Sequence, residues 1–145
     1  MRINDVTKGK PTQDVVTINP SSTVRELVAL LAQHNVGALV VSTDGRTVDG
    51  IVSERDVVRR LNDDPDLMTR PVSEIMTVEV FTVEPTTYID DLMKLMTQHR
   101  IRHVPVVVDG ALTGIVSIGD VVKNRMSELE FERDQLDKFV HSQQT

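Results

Sequence analysis

One structural unit written twice constrains this chain more than any other feature. Placing Thr17-Ile18-Asn19-Pro20 over Thr82-Val83-Glu84-Pro85 sets an offset of 65 residues. The same offset aligns Leu27 with Leu92, Leu30 with Leu95, Gln33-His34 with Gln98-His99, and residues 36–41 with 101–106. Beyond the next turn the offset falls to 64. There Gly50-Ile51-Val52-Ser53-Glu54-Arg55-Asp56-Val57-Val58 lies over Gly114-Ile115-Val116-Ser117-Ile118-Gly119-Asp120-Val121-Val122, with seven of nine pairs identical. A chain of this kind must build two similar bodies, and each is too small to bury a comfortable core alone. The two are therefore expected to pack as one pseudo-two-fold module.

Each copy reads as strand, helix, strand, strand, helix, which makes the fold class α/β. The β-branched runs Val15–Ile18 and Val80–Val83 end at Pro20 and Pro85, as strands running into turns do. Helices are expected next, opened by Thr23-x-x-Glu26 and Thr87-x-x-Asp90, both resembling capping boxes. Apolar residues then recur at helical spacing: Val24, Leu27, Val28 and Leu31, and Ile89, Leu92, Met93 and Met96. Hairpins follow, turning at Asp44-Gly45 and Asp109-Gly110, and second helices begin at Ser53 and Ser117. The acidic, proline-bearing stretch around Asn62–Asp66 and Pro71 reads as a connection. The expected organisation is a first repeat over 1–61, a linker over 62–71, a second repeat over 72–124, and a C-terminal helix and tail over 125–145. That last helix carries a coiled-coil-like stripe (Met126, Leu129, Leu136, Val140) interrupted by Arg133, and is expected to dock or to make a dimer contact.

Composition removes several function classes. A net charge of −6 argues against nucleic acid and anionic membranes, both of which need a basic face. The absence of Cys removes disulfides, thiolate catalysis and Cys-based metal sites, and suits a cytoplasmic protein. No segment reaches the roughly 18 apolar residues of a membrane span. Neither a nucleophile with its base nor a phosphate-cradling loop motif is present, so an enzyme is not expected. His99 and His103 are four apart, but His103 falls past the helix end, so no metal site is expected. A Mg²⁺ would arrive only with a bound nucleotide.

The doubled Gly-Ile-Val-Ser-x-x-Asp supports two readings that coexist. Structurally, Ser53 and Ser117 cap free backbone donors, while Asp56 and Asp120 complement the positive end of a helix dipole. Functionally, a helix N-terminus at the end of a strand offers N–H groups and a hydroxyl to a phosphate. A carboxylate one turn in suits a ribose diol.

These motifs, with Ile75-Met76-Thr77 and Ile101-Arg102-His103-Val104-Pro105-Val106, resemble a tandem pair of CBS domains, the Bateman module, over about residues 3–123. The resemblance implies β-α-β-β-α units that bind adenosine compounds in clefts between them: AMP first, then ATP or NAD. It implies that Asp56 and Asp120 meet ribose, that Ser53 and Ser117 approach phosphate, and that Thr77 makes a polar contact. Arg102 and His103 would meet phosphates, with Arg55 as the first repeat's basic group. Val80 and Val16 would contact adenine. It further implies a free-standing sensor, a homodimer, and an effector protein as partner. The alternative is a structural CBS protein with unused clefts that interacts through its C-terminal helix.

The copies differ where charge matters. Arg102-His103 stands over Gly37-Ala38, and Glu54-Arg55 stands over Ile118-Gly119. Two unequal sites are expected, and strand alternation would send Arg102 and His103 to different clefts. Lys8 and Lys10 are further cations, read as a solvated loop.

Overall fold

The computed structural model describes residues 1–8 and 15–143, so Lys10 lies outside the described residues. A short helix α1 (Ile3–Thr7) precedes the first repeat, in which β1 (Thr17–Ile18), α2 (Val24–His34), β2 (Ala38–Val41), β3 (Gly50–Ser53) and α3 (Glu54–Leu61) follow in order. The second repeat contains α4 (Ile89–His99), β4 (His103–Val108), β5 (Ala111–Ser117) and α5 (Ile118–Gln143).

In the first repeat, β1 runs parallel to β2 and β2 antiparallel to β3, with Thr17 beside Val40 and Val40 beside Ile51. The parallel pair is joined through α2, the crossover helix that such a pair requires. In the second repeat β4 and β5 pair antiparallel, and the hairpin closes on Asp109 and Gly110 at φ 51° and 80°. Positive φ at both central residues matches the right-handed twist of the strands, which explains the Asp-Gly turn.

The expected strand over Val80–Val83 is reduced to a parallel bridge between Val83 and Val106. Val83 N–H donates to Pro105 O at 3.0 Å and Val83 O accepts from Val107 N–H at 2.8 Å. Residues 78–82 instead run past the sheet edge. Their approach is fixed by Thr77, which exchanges hydrogen bonds of 3.0 and 2.9 Å with Ile51 of the first repeat.

The first helix of each repeat follows the capping argument in one copy only. Thr23 Oγ1 accepts from Glu26 N–H at 3.2 Å. Thr87 does not cap α4, because that helix begins one residue later, after Tyr88. Its first N–H, on Ile89, donates to Met1 O at 3.0 Å, so the N-terminal segment supplies the acceptor that a side chain would otherwise provide.

Two aliphatic cores result, and each takes in a segment that lies outside its own repeat in sequence. Ile18, Val24, Leu27, Leu39, Val41 and Val52 pack with Leu67, Val72 and Ile75. Val83, Leu92, Met96, Val104, Val106 and Val116 pack with Ile3 and Val6. The hydrogen bonds repeat the pattern. Val72 N–H donates to Ser22 O at 2.7 Å and Val24 N–H to Arg70 O at 2.9 Å; Ile3 N–H donates to Thr87 O at 2.9 Å. The lead-in to each repeat thus completes the core of the other.

The C-terminal helix was expected as a separate, docking element. It is instead continuous with the last helix of the second repeat. α5 spans 26 residues, roughly 39 Å at 1.5 Å per residue. Val121 is buried in the second core, whereas Met126, Leu129, Leu136, Phe139 and Val140 are all at least half exposed. Arg133 breaks the apolar seam midway, and the outer apolar side chains stay exposed along the helix.

Candidate ligand-binding cleft

The Ser-x-x-Asp segments form the capping boxes that their spacing predicts. Asp56 N–H donates to Ser53 Oγ at 3.4 Å, and Asp56 Oδ2 accepts from Ser53 N–H at 2.8 Å. The second copy matches, with Asp120 N–H to Ser117 Oγ at 3.1 Å and Ser117 N–H to Asp120 Oδ2 at 2.9 Å. Each box satisfies orphan donors of a first helical turn. In the first copy Oδ2 also accepts from the Ser53 hydroxyl at 3.1 Å, leaving Asp56 Oδ1 without a hydrogen bond among the described residues.

A cleft of about 310 Å³ opens between the repeats at this point. That volume lies at the small end of the range for ligand pockets. One wall is the start of α3, with Ser53, Glu54, Arg55, Asp56 and Arg59, together with Gly37, Ala38 and Ile51. The other comprises Thr77, Glu79, Val80 and Phe81 on the lead-in to the second repeat, and residues 100–103 between α4 and β4. Ser53, Arg55, Asp56, Thr77, Val80, Arg102 and His103 therefore share one cleft. Ser117 and Asp120 do not line it, since they cap α5 on the pseudo-symmetric side. Val16 packs against the first core, and Lys8 is exposed away from the cleft.

Arg102 and His103 line the same cleft, contrary to the expectation from strand alternation. The reason is that β4 begins only at His103. Arg102 precedes the strand, its carbonyl accepting from Ile118 N–H at 2.8 Å, so the alternation does not yet apply. Gly37, the counterpart of Arg102, makes the matching bond, its carbonyl accepting from Glu54 N–H at 3.0 Å. A Cβ at Gly37 would sit 3.4 Å from His103 Cε1 and 3.5 Å from Glu54 Oε1, ordinary contact distances, so His103 of the other repeat packs beside this position and a methyl group would fit there.

Several lining residues carried no obvious signal in the sequence. Arg59 follows Arg55 by one helical turn, a spacing that places both on one face and marks it in retrospect. Arg100 is the C-cap of α4 in the left-handed conformation, φ 54° and ψ 42°, where the first copy has Asn35. Phe81 stacks on His99 with ring centroids 4.0 Å apart, forming an aromatic edge to the cleft. No cluster of His, Cys, Asp or Glu among the described residues has the geometry of a metal site, and no helix among them is long and apolar enough to cross a membrane.

Two duplicated α/β repeats with exchanged lead-in segments, meeting around a cleft that both line, define a paired-repeat module. The chain belongs to the CBS-domain family, whose model matches residues 3–63 and 72–127. It is 38% identical over 120 residues to the CBS domain-containing protein YhcV of Bacillus subtilis, spanning 83% of this chain and 85% of that protein. Among solved structures, the CBS-domain containing protein ATU1752 from Agrobacterium tumefaciens superposes with a TM-score of 0.80 at 40% identity, over 86% of this chain and 92% of that one. The structure of CBSX2 in complex with AMP matches with a TM-score of 0.74 at 29% identity, over 87% and 96%. The CBS domain pair of MJ0100, in complex with 5′-methylthioadenosine and S-adenosyl-L-methionine, matches with a TM-score of 0.76 at 25% identity, over 88% and 98%.

Proposed function

We propose that this chain is a regulatory module that binds an adenosine nucleotide between its repeats and signals by a change of conformation or of oligomeric contacts. The observation that carries the reading is convergence. Residues from four separate stretches of sequence, 37–38, 51–59, 77–81 and 100–103, line one cleft that neither repeat could form alone. Within it, Asp56 offers Oδ1 to a ribose diol, and Val80 with Ile51 offers apolar surface to a base. The N-terminus of α3 with Arg55, and Arg102 with His103, offer donors to phosphate. The ligands in CBSX2 and MJ0100 all carry adenosine, which supports this class. AMP, ATP and NAD are the candidate ligands. The pseudo-symmetric place at Ser117 and Asp120 is a second and unequal site.

A ligand touching both repeats biases their arrangement by its differential affinity for the two states, and a homodimer would carry that change to a partner. Calorimetry on nucleotide-stripped protein with AMP, ATP, NAD and S-adenosylmethionine tests the reading. Absence of heat up to roughly millimolar ligand, a free energy of only about 4 kcal/mol, would sink it.

A second reading rests on the exposed apolar residues of α5, which suit a protein partner. Deleting residues 126–145 separates the two. Loss of an oligomer or effector with nucleotide affinity intact assigns the helix to partner binding.

A further inference from the structure

Some arginines of this chain are paired, but the four that line the cleft are not paired among the described residues. Arg70 is paired with Asp64 at 3.2 Å and Arg125 with Glu128 at 2.9 Å. The side chains of Arg55, Arg59, Arg100 and Arg102 make no hydrogen bond or ion pair among the described residues, although Glu54, Asp56 and Glu79 line the same cleft. The lining thus carries four positive charges against three negative ones in a chain whose net charge is −6. Asp56 is also partly withdrawn from pairing, because its Oδ2 is held by Ser53.

The four come as two pairs on opposite walls. Arg55 and Arg59 stand one turn apart on α3 of the first repeat. Arg100 and Arg102 flank Ile101 in the second, with Arg100 set by its left-handed backbone and Arg102 by the bond from Ile118 N–H. Gathering four guanidinium groups in a cleft is unfavourable while it is empty, and an anion that meets both pairs relieves that repulsion. One phosphate presents three terminal oxygens and about two charges, which the two guanidinium groups of one wall can already occupy. Two or more linked phosphates give each wall an anion of its own and neutralise more of the four charges.

Resting on the adenosine reading above, we propose that the cleft selects ligands bearing two or more linked phosphates, such as an adenosine di- or triphosphate or a pyrophosphate-linked dinucleotide. Monophosphates are bound less tightly, and the cationic sulfonium of S-adenosylmethionine is disfavoured. Arg55 with Arg59 and Arg100 with Arg102 are the determinants of this choice, acting as the two jaws of an anion clamp.

The test is calorimetry on the full, nucleotide-stripped chain with adenosine, AMP, ADP, ATP and S-adenosylmethionine, in chelator so that the phosphates keep their own charge. ADP and ATP are expected to bind about tenfold or more tighter than AMP, a step of about 1.4 kcal/mol or more. S-adenosylmethionine is expected to be the weakest of the charged ligands, and the preference is expected to shrink as salt is raised. The double variants Arg55→Ala/Arg59→Ala and Arg100→Ala/Arg102→Ala are each expected to bring ATP down to the AMP affinity. All four side chains are exposed and without partners among the described residues, so both variants should fold. Equal affinity for AMP and ATP, S-adenosylmethionine binding as tightly as either, or an unchanged preference in either double variant overturns the clamp and leaves the adenosine reading standing. Failure of every adenosine compound to bind overturns that reading itself.

Discussion

Gly50→Ala puts one methyl group into the tightest place among the described glycines. Gly50 opens β3 and is buried where the lead-in to the second repeat crosses the first sheet. A Cβ there would lie 2.8 Å from Met76 Sδ and 2.8 Å from the carbonyl oxygen of Thr77. The methionine can swing away, but the carbonyl cannot move freely. It accepts from Ile51 N–H at 3.0 Å, while Thr77 N–H donates to Ile51 O at 2.9 Å. Restoring ordinary contact needs a retreat of roughly half an ångström or more, which stretches both bonds towards the limit of useful geometry. Overpacking of this kind costs about 1–3 kcal/mol, and weakening two hydrogen bonds adds about 1 kcal/mol. The expected loss is about 2–4 kcal/mol, read from the midpoint of urea unfolding with the slope checked for constancy. Gly119→Ala is the control. Its Cβ would meet nothing nearer than Ser117 Oγ at 3.6 Å among the described residues, and it lies in the first turn of α5. There the same chemical change should stabilise, by up to about 1 kcal/mol. The two variants should move the midpoint in opposite directions. A Gly50→Ala protein as stable as the parent would refute the claim that backbone contact between the repeats sets this glycine.

Other outcomes follow from the same geometry. Ser53→Ala and Ser117→Ala each remove a cap and should cost about 1 kcal/mol in thermal or urea unfolding, whereas Ser→Thr at either place should cost less. Ile3→Ala empties a fully buried position in the second core and should cost about 2–5 kcal/mol; a cost under about 0.5 kcal/mol would mean that α1 is not part of that core. Asp44 accepts from the backbone N–H groups of Thr47 and Arg46, and from hydroxyls of Thr47 and Ser42, which lowers its pKa to about 2 from the usual carboxylate range. Because the folded value is the lower one, its contribution is complete above about pH 4 and is lost as pH falls through about 2. Asp44→Asn should therefore be less stable than the parent at neutral pH, and acid titration of both should bring their unfolding midpoints together.

The amino-acid sequence by itself determined the repeat and the kind of each element, because these rest on local causes. Helical spacing of Val24, Leu27 and Leu31, the Asp109-Gly110 turn and the Ser-x-x-Asp boxes all act within a few residues, so they are legible without a partner. The doubled motif likewise pointed to the starts of both α3 and α5 as places where a ligand would meet the protein, and of these only the start of α3 lines the cleft between the repeats. Where the reading departed from the structure, a distant segment had intervened. Residues 80–82 form no strand because Thr77 is drawn to Ile51, and Thr87 does not cap α4 because Met1 supplies the acceptor. Only the tertiary structure decided that Ile3 and Val72 each complete the other repeat's core, that His103 packs beside Gly37, and that Arg59 and Arg100 face one cleft from opposite walls. Such contacts depend on the approach of segments far apart in the chain. Backbone hydrogen bonds and a missing Cβ, not any pattern of side chains along the sequence, set how they meet.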